Sequence, residues 1–409
     1  MEKYIHRDID SLLLEVANSY SAMIVTGPRQ VGKTTTLRTL LGEGRQFVSL
    51  DDRENRNLAK TDPEMFLSVH SAPVIIDEVQ YAPELFSYIK MKIDNGAPAG
   101  SYLMTGSQMY QLIKLAGESL AGRVAIIRMS GFSQHEIYGT GECLPFEINL
   151  NSLKERVKFG STVDVVGQFE RIWKGSLPAY ISGKYENRDI YYSSYIDTYI
   201  DRDIGDITNL RDKAIFRDFV RAAACRAGEM LNVHAIASDV GVSDDTAKTW
   251  LSYMEISGII FYLRPFSNNL LKRTIKDTPK MYFFDTGLVA YLTKYSSPEI
   301  LMNGAINGAI LENYVVSEVV KTYINNGQSY FIHYYRDVDN KEVDIILESD
   351  GKLHPIEIKK TSSPPTELTR VFKVLDKASI ERGMGAILCT KMELSALDKD
   401  TMIVPIWSI

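Results

Sequence analysis

Gly27-Pro-Arg-Gln-Val-Gly32-Lys33-Thr34 is a run whose residue types suit the holding of a polyphosphate and its metal ion. Gly27 and Gly32 permit backbone angles and a close approach that a Cβ would obstruct, so successive N–H groups can face phosphate oxygens. Lys33 brings a positive point charge to the β- and γ-phosphates, and the Thr34 hydroxyl is a magnesium ligand. A helix beginning here adds the partial positive charge of its N-terminus to the same anion. The expected nucleotide contacts are Gly27, Pro28, Arg29, Gln30, Val31, Gly32, Lys33, Thr34 and Thr35, and the expected cofactors are ATP and Mg2+.

Turning such a loop into a hydrolytic site takes a second acidic element. Ala72-Pro-Val-Ile-Ile ends in Asp77-Glu78, an apolar run closed by two carboxylates. Asp77 would stand behind the metal through water, and Glu78 would polarise the attacking water as general base. The pair could instead cap the helix that begins near Pro83; the loop 44 positions earlier favours the catalytic reading. A polar side chain in Thr105-Gly-Ser107-Gln could orient the water, or the stretch could be a plain turn. Arg123, in Ser119-Leu-Ala-Gly-Arg123, is a candidate for transition-state charge, in its own subunit or a neighbour's, against the default of an exposed arginine at a strand start. Arg202 is a second such candidate, against a helix-end ion pair.

A separate constellation lies near the other end. Asp344 sits inside an apolar strand, and Glu357 and Lys359 are two apart in the next, hence on one face. Carboxylates that hold Mg2+ beside a lysine that helps activate water are the pattern of restriction-endonuclease-like cores. Glu312, on the preceding helix, would complete the set, with Glu318 as substitute. A solvated charge pair on a hairpin is the plainer alternative.

These side chains need elements to place them. Residues 21–26 read as a buried strand running into the loop, 34–41 as a helix and 101–105 as a further strand. Residues 130–138 and 143–149 read as loop and short-strand connection, and 163–173 as a helix. Residues 189–203 carry Tyr192, Tyr195, Ile196, Tyr199 and Ile200 at helical spacing, a core stripe. From 213 to 264 the pattern is that of a winged helix-turn-helix, with helices over 214–227, 233–240 and 244–257; Ser243 caps the last. Strands over 259–263 and 280–284 flank a wing bearing Lys272, Arg273 and Lys276. The would-be recognition helix opens Asp244-Asp245, which opposes base reading. A helix over 304–323 precedes strands over 329–336, 341–348 and 353–360. The expected fold class is therefore α/β, with four parts: a P-loop ATPase domain with a parallel sheet (1–150), a helical lid or connector (151–210), a winged-helix region (211–300) and a restriction-endonuclease-like domain (301–409).

Taken together the chain resembles a family of prokaryotic AAA-type ATPases that carry a C-terminal domain of unknown function. The resemblance rests on GPRQVGKTT, VIIDEVQYAPELF, LMTGSQ and SLAGR, then YIDRDI, FFDTGL, GAILENYV and EVDIIL with IEIK. It implies an AAA-type nucleotide domain with Asp77 and Glu78 in the acidic-strand roles and Ser107 as sensor, and it strengthens Arg123.

Bulk composition bounds the partners. The 409 residues are 45% apolar and 24% charged, the balance of a soluble globular protein. A net charge of −6 gives no global attraction to nucleic acid or anionic lipid. Residues 301–409 hold 12 Lys and Arg against 15 Asp and Glu, so that part lacks an electrostatic footprint for nucleic acid. The charged first residues and the lack of a long apolar run point to the cytoplasm, with no membrane partner. Cys143, Cys225 and Cys389 lie too far apart for a sequence-local metal cluster. Three functions fit: an ATPase that moves its C-terminal modules, shared between subunits of a homo-oligomer where an arginine is supplied in trans; an ATP-dependent nuclease; and an ATP-gated switch that binds a DNA or protein partner.

Overall fold

A computed structural model describes residues 4–107, 120, 122–139, 143–200, 213–266 and 278–409. The first half is built on a five-stranded parallel sheet: β1 (Ala22–Thr26), β2 (Gln46–Ser49), β3 (Val74–Asp77), β4 (Tyr102–Gly106) and β5 (Val124–Arg128), in the order β2-β3-β4-β1-β5. The strands β1, β3 and β4 are buried along their whole length, as expected for a sheet covered on both faces by helices. Registers bring the carboxyl ends into line: Thr26 opposes Gly106 and Arg128, and Ser49 opposes Asp77. The carboxyl ends thus form one edge of the sheet, the usual ligand position in such sheets.

A second, nine-stranded sheet dominates the rest. Its order is β13-β14-β12-β11-β10-β9-β7-β8-β6, from β6 (Glu229–Met230), β7 (Ile260–Pro265), β8 (Lys280–Phe283), β9 (Ile332–Arg336), β10 (Glu342–Ser349), β11 (Lys352–Lys359), β12 (Gly385–Cys389), β13 (Ser395–Ala396) and β14 (Thr401–Pro405). The parallel pairing of β7 with β9 joins residues on both sides of position 300 into one sheet. Helices Lys213–Ala224, Val233–Val240 and Asp244–Ile256 pack ahead of the β7–β8 hairpin, and the Ser243 side chain accepts from Thr246 N–H as its cap.

Residues 130–138 differ from expectation. Ser133 and Glu136 form a reciprocal capping box, so Gln134–Tyr138 is helical rather than a strand connection. The Tyr192, Tyr195, Ile196, Tyr199 and Ile200 stripe is core, as its spacing predicts. The long helix Asn307–Asn325 is buried on nearly all sides from Ile310 onward. Arg202 and the basic trio Lys272, Arg273 and Lys276 lie outside the described residues.

Candidate active site and C-terminal carboxylate cluster

The loop after β1 needs its glycines for space. A Cβ on Gly27 would fall 2.0 Å from the Met129 carbonyl oxygen, and Gly32 has φ +95° as it enters helix Lys33–Leu41. Lys33 is buried and donates to the carbonyls of Gly27 at 2.9 Å and Pro28 at 2.8 Å, so the ammonium lies against the loop it serves. Arg29, Gln30, Gly32, Lys33, Thr34, Thr35 and Glu78 line one cavity of about 330 Å³, to which Thr198 is added from helix Arg188–Thr198. That last residue was not foreseen, because its link to the loop is purely tertiary.

Asp77 ends β3 where the register predicts. Its carboxylate accepts from Thr34 Oγ1 at 2.5 Å, from Thr105 Oγ1 and from Ser49 Oγ at 3.3 Å. Glu78 follows with φ +54°, a left-handed conformation that costs a non-glycine residue about 1–2 kcal/mol. The turn aims the Glu78 carboxylate at the tip of β4, where it accepts from Gln80 Nε2 at 2.5 Å and Ser107 Oγ at 3.4 Å. Gln80 is buried and also reaches Ser107 at 3.5 Å, so three polar side chains converge at the tip of β4. Neither Gln80 nor Ser49 was singled out in the sequence; strand register was the missing information.

Arg123 lies away from these residues. It precedes Val124, which opposes Ala22, so it stands at the amino edge of the sheet while the phosphate loop stands at the carboxyl edge. Four strand residues separate the two edges, roughly 13 Å. Arg123 binds Asp94 with 2.5 Å between Nε and Oδ1.

Arg7 was also missed. Its buried guanidinium donates to the carbonyl of Val31 at 2.8 Å and of Ser130 at 2.9 Å, and binds Glu136 at 2.7 Å. It thereby fixes the loop from outside the motif. Burial raises the Glu136 carboxyl, and the Arg7 charge opposes that rise. Arg7→Lys keeps the charge but cannot span three acceptors in a planar fork. It should lower stability by about 1–3 kcal/mol, measured by urea unfolding, and weaken ATP binding in the same protein.

The predicted C-terminal set comes together. Ile345 pairs with Ile356, which brings Asp344 beside Glu357. Lys359 Nζ lies 3.1 Å from Asp344 and 2.7 Å from Glu357, and Ile358 N–H donates to Asp344 at 2.8 Å. Burial, and then the neighbouring Asp344 charge, push the Glu357 carboxyl up to about 8. Burial and Asp344 likewise raise Glu312, to about 7. Glu312 is adjacent but engaged elsewhere: Lys280 Nζ and Tyr282 OH each reach its Oε1 at 2.7 Å. Glu318 is excluded from this cluster, because it accepts from Gln134 N–H and binds Lys321 in the core. At the opening of helix Asp244–Ile256, Asp244 contacts His234 and Asp245 contacts Lys248, so its one base is already balanced.

Asp8, His135 and Cys143, remote in sequence, also meet. Asp8 accepts from His135 Nδ1 at 2.7 Å and Ser133 Oγ at 2.6 Å, a network that ties the N-terminal segment to the capped helix.

Comparison with known proteins divides the chain in three. Residues 19–138 match a family described as AAA domain, residues 167–299 a domain of unknown function (DUF8612) and residues 307–409 another (DUF4143). Uncharacterized proteins of Mycobacterium bovis and Mycobacterium tuberculosis are each 27% identical over 361 residues, covering 88% of this chain and 74% of theirs. Among solved structures, a Walker-type ATPase of Pyrococcus abyssi aligns with a TM-score of 0.42 at 14% identity, over 71% of this chain and 96% of that one. AMPPCP-bound DnaA from Aquifex aeolicus aligns with a TM-score of 0.28 at 14% identity, over 60% of this chain and 85% of that one. No helix among the described residues is long and apolar enough to cross a membrane.

Proposed function

We propose, from the premise that this chain is an AAA-type P-loop ATPase with a C-terminal domain of unknown function, that it hydrolyses MgATP to reposition its C-terminal half. The observation that carries the hydrolytic part is the convergence of Thr34 on Asp77 and of Ser107 on Glu78 at one sheet edge. Thr34 and Asp77 offer the hard oxygen donors that Mg2+ prefers and would hold it, Asp77 through water. The ion would neutralise charge on the β- and γ-phosphates. Glu78 would take a proton from water held by Ser107 and Gln80. Lys33, held against the Gly27 and Pro28 carbonyls, would bring its ammonium to the β- and γ-phosphates. Steady-state phosphate release with Mg2+ tests the reading, which fails if the purified chain binds ATP and never turns it over.

Two contacts support transmission to the C-terminal half. Gly258, at φ +74°, ends helix Asp244–Ile256 against the loop: a Cβ there would come within 2.8 Å of Pro28 Cγ. Helix Asn307–Asn325 holds the segment beyond β5 through Lys321 on the Phe132 carbonyl and Glu318 on Gln134 N–H. Glu312 of the same helix reaches the carboxylate cluster, nine residues or about 14 Å along its axis. One helix thus touches both the segment beyond β5 and the carboxylate cluster.

A second reading, nuclease-like chemistry, is favoured by Asp344, Glu357 and Lys359, with the helices and hairpin before them as a winged-helix module. One measurement probes its cation. Because Glu357 is raised from 4.5 to about 8, the folded chain holds a proton there that the unfolded chain releases. The stability this gives is present at low pH and lost as pH rises through 8. A divalent cation would replace the lost proton. In nucleotide-free protein, the gain in melting temperature on adding Mg2+ should be larger at about pH 8 than at about pH 6. Asp344→Asn should abolish the gain at both.

A further inference from the structure

We propose that the C-terminal carboxylate cluster takes a single divalent cation, at Asp344 and Glu357, because Lys280 already fills the place of a second. The inference rests on the cation-site reading given above and adds a limit to it.

The cluster has two halves, each organised by one ammonium. In the first, Lys359 lies 3.1 Å from Asp344 and 2.7 Å from Glu357, while the two carboxylates crowd each other across the β10–β11 pair. Glu357 is 4% exposed, yet its Oε1 has no hydrogen-bond partner among the described residues. A buried carboxylate oxygen without a donor is a costly feature that a bound cation would remove. In the second half, Lys280 is 3% exposed, 2.7 Å from Glu312 and 2.5 Å from Glu342. The other Glu342 oxygen takes Arg336 at 3.0 Å, and Tyr282 OH adds a second donor to Glu312 Oε1. Both carboxylates of this half are thus committed to charge-assisted hydrogen bonds.

The charges agree with this division. Glu312 and Glu342 are matched by two cations, Lys280 and Arg336, whereas Asp344 and Glu357 share Lys359 alone. The unbalanced half is the one with room for a further cation. Lys280 also comes from a different part of the sheet than its partners: it opens β8, opposite Leu263 of β7, and the β7–β9 pairing carries it to the cluster. A two-ion arrangement would need Glu312 and Glu342 free, and the β8 lysine prevents that. Glu312 then serves as a counter-ion for Lys280 and not as a metal ligand.

Mn2+ serves as the probe, titrated into nucleotide-free full-length protein and followed by calorimetry and by paramagnetic resonance of free Mn2+. Wild type should bind one ion per chain at this site. Asp344→Asn and Glu357→Gln should lose it, whereas Glu312→Gln should keep it. Lys280→Met should raise the count to two, and Lys280→Arg should leave it at one. Two ions on wild type, loss of the ion in Glu312→Gln, or a count of one in folded Lys280→Met would overturn the proposal. Should Lys280→Met fail to fold by circular dichroism, the contrast between Glu312→Gln and Glu357→Gln decides instead. No ion on wild type would overturn the underlying cation-site reading itself.

Discussion

Glu78→Gln is expected to leave MgATP bound while lowering its turnover by about 10²–10⁴-fold, the usual contribution of a positioned general base. The change is nearly isosteric, so the left-handed backbone at Glu78 and the space between Gln80 and Ser107 are preserved. What is lost is the ability to accept a proton from water. Ser107→Ala should cost less, because it removes an orienting hydroxyl and leaves the carboxylate in place. Rapid-quench single-turnover hydrolysis separates the effects: binding unchanged, chemistry slowed in both, and more in Glu78→Gln. Undiminished turnover in Glu78→Gln would remove Glu78 from the role of base, and another carboxylate would have to replace it. Aspartate at 77 gives a useful contrast, since it accepts from Thr34, Thr105 and Ser49. Its loss would disorganise the loop as well as the chemistry.

How far this site could be read in advance depends on how each residue is tied to its neighbours. Lys33, Thr34, Asp77 and Glu78 were legible because local sequence sets them: a strand, a glycine loop and a helix follow one another without a gap. Asp344, Glu357 and Lys359 were legible because period two and a short turn fix their faces. Ser49, Gln80 and Thr198 were not, because parallel register and helix docking depend on contacts far along the chain. Arg7 holds Val31 from 24 positions away and gives no motif of its own. The edge at which Arg123 stands was not legible for a related reason. The local string shows that it starts a strand, but only topology shows that a parallel strand starts at the edge remote from the nucleotide. Lys280 shows the same limit at the second site, since it reaches Glu342 through the β7–β9 pairing and Glu312 through the packing of β8 on helix Asn307–Asn325.

The largest stability loss should come from a residue with no catalytic part, Asp285 of the FFDTGL string. Its carboxylate is 7% exposed and accepts four hydrogen bonds: Ser176 N–H at 2.6 Å, Ser176 Oγ at 2.9 Å, Tyr192 OH at 2.9 Å and Leu288 N–H at 2.6 Å. Three elements are thereby joined, namely the turn after helix Val165–Lys174, helix Arg188–Thr198 and the start of helix Thr286–Leu292. The packing leaves no slack. A Cβ on Gly175 would lie 2.5 Å from Tyr192 OH, and one on Gly287 would lie 2.2 Å from the same atom. Arg188, also buried, donates to the Gly287 carbonyl at 3.1 Å and counts Asp285 among its nearby negative charges. Asp285→Ala would strand the four donors and uncover that arginine, a loss of about 3–5 kcal/mol by analogy with broken buried pairs. Asp285→Asn keeps the shape but points an amide N–H₂ at donors, so it should fall between the two. Urea unfolding followed by tryptophan fluorescence suits the test, since Trp173 lies under Arg188. A loss below about 1 kcal/mol would show that the node is dispensable. The same node holds helix Arg188–Thr198 in place, and Thr198 closes one side of the nucleotide cavity. Partial loss in Asp285→Asn should therefore reach the phosphate loop as weaker ATP binding, with the turnover of bound nucleotide unchanged.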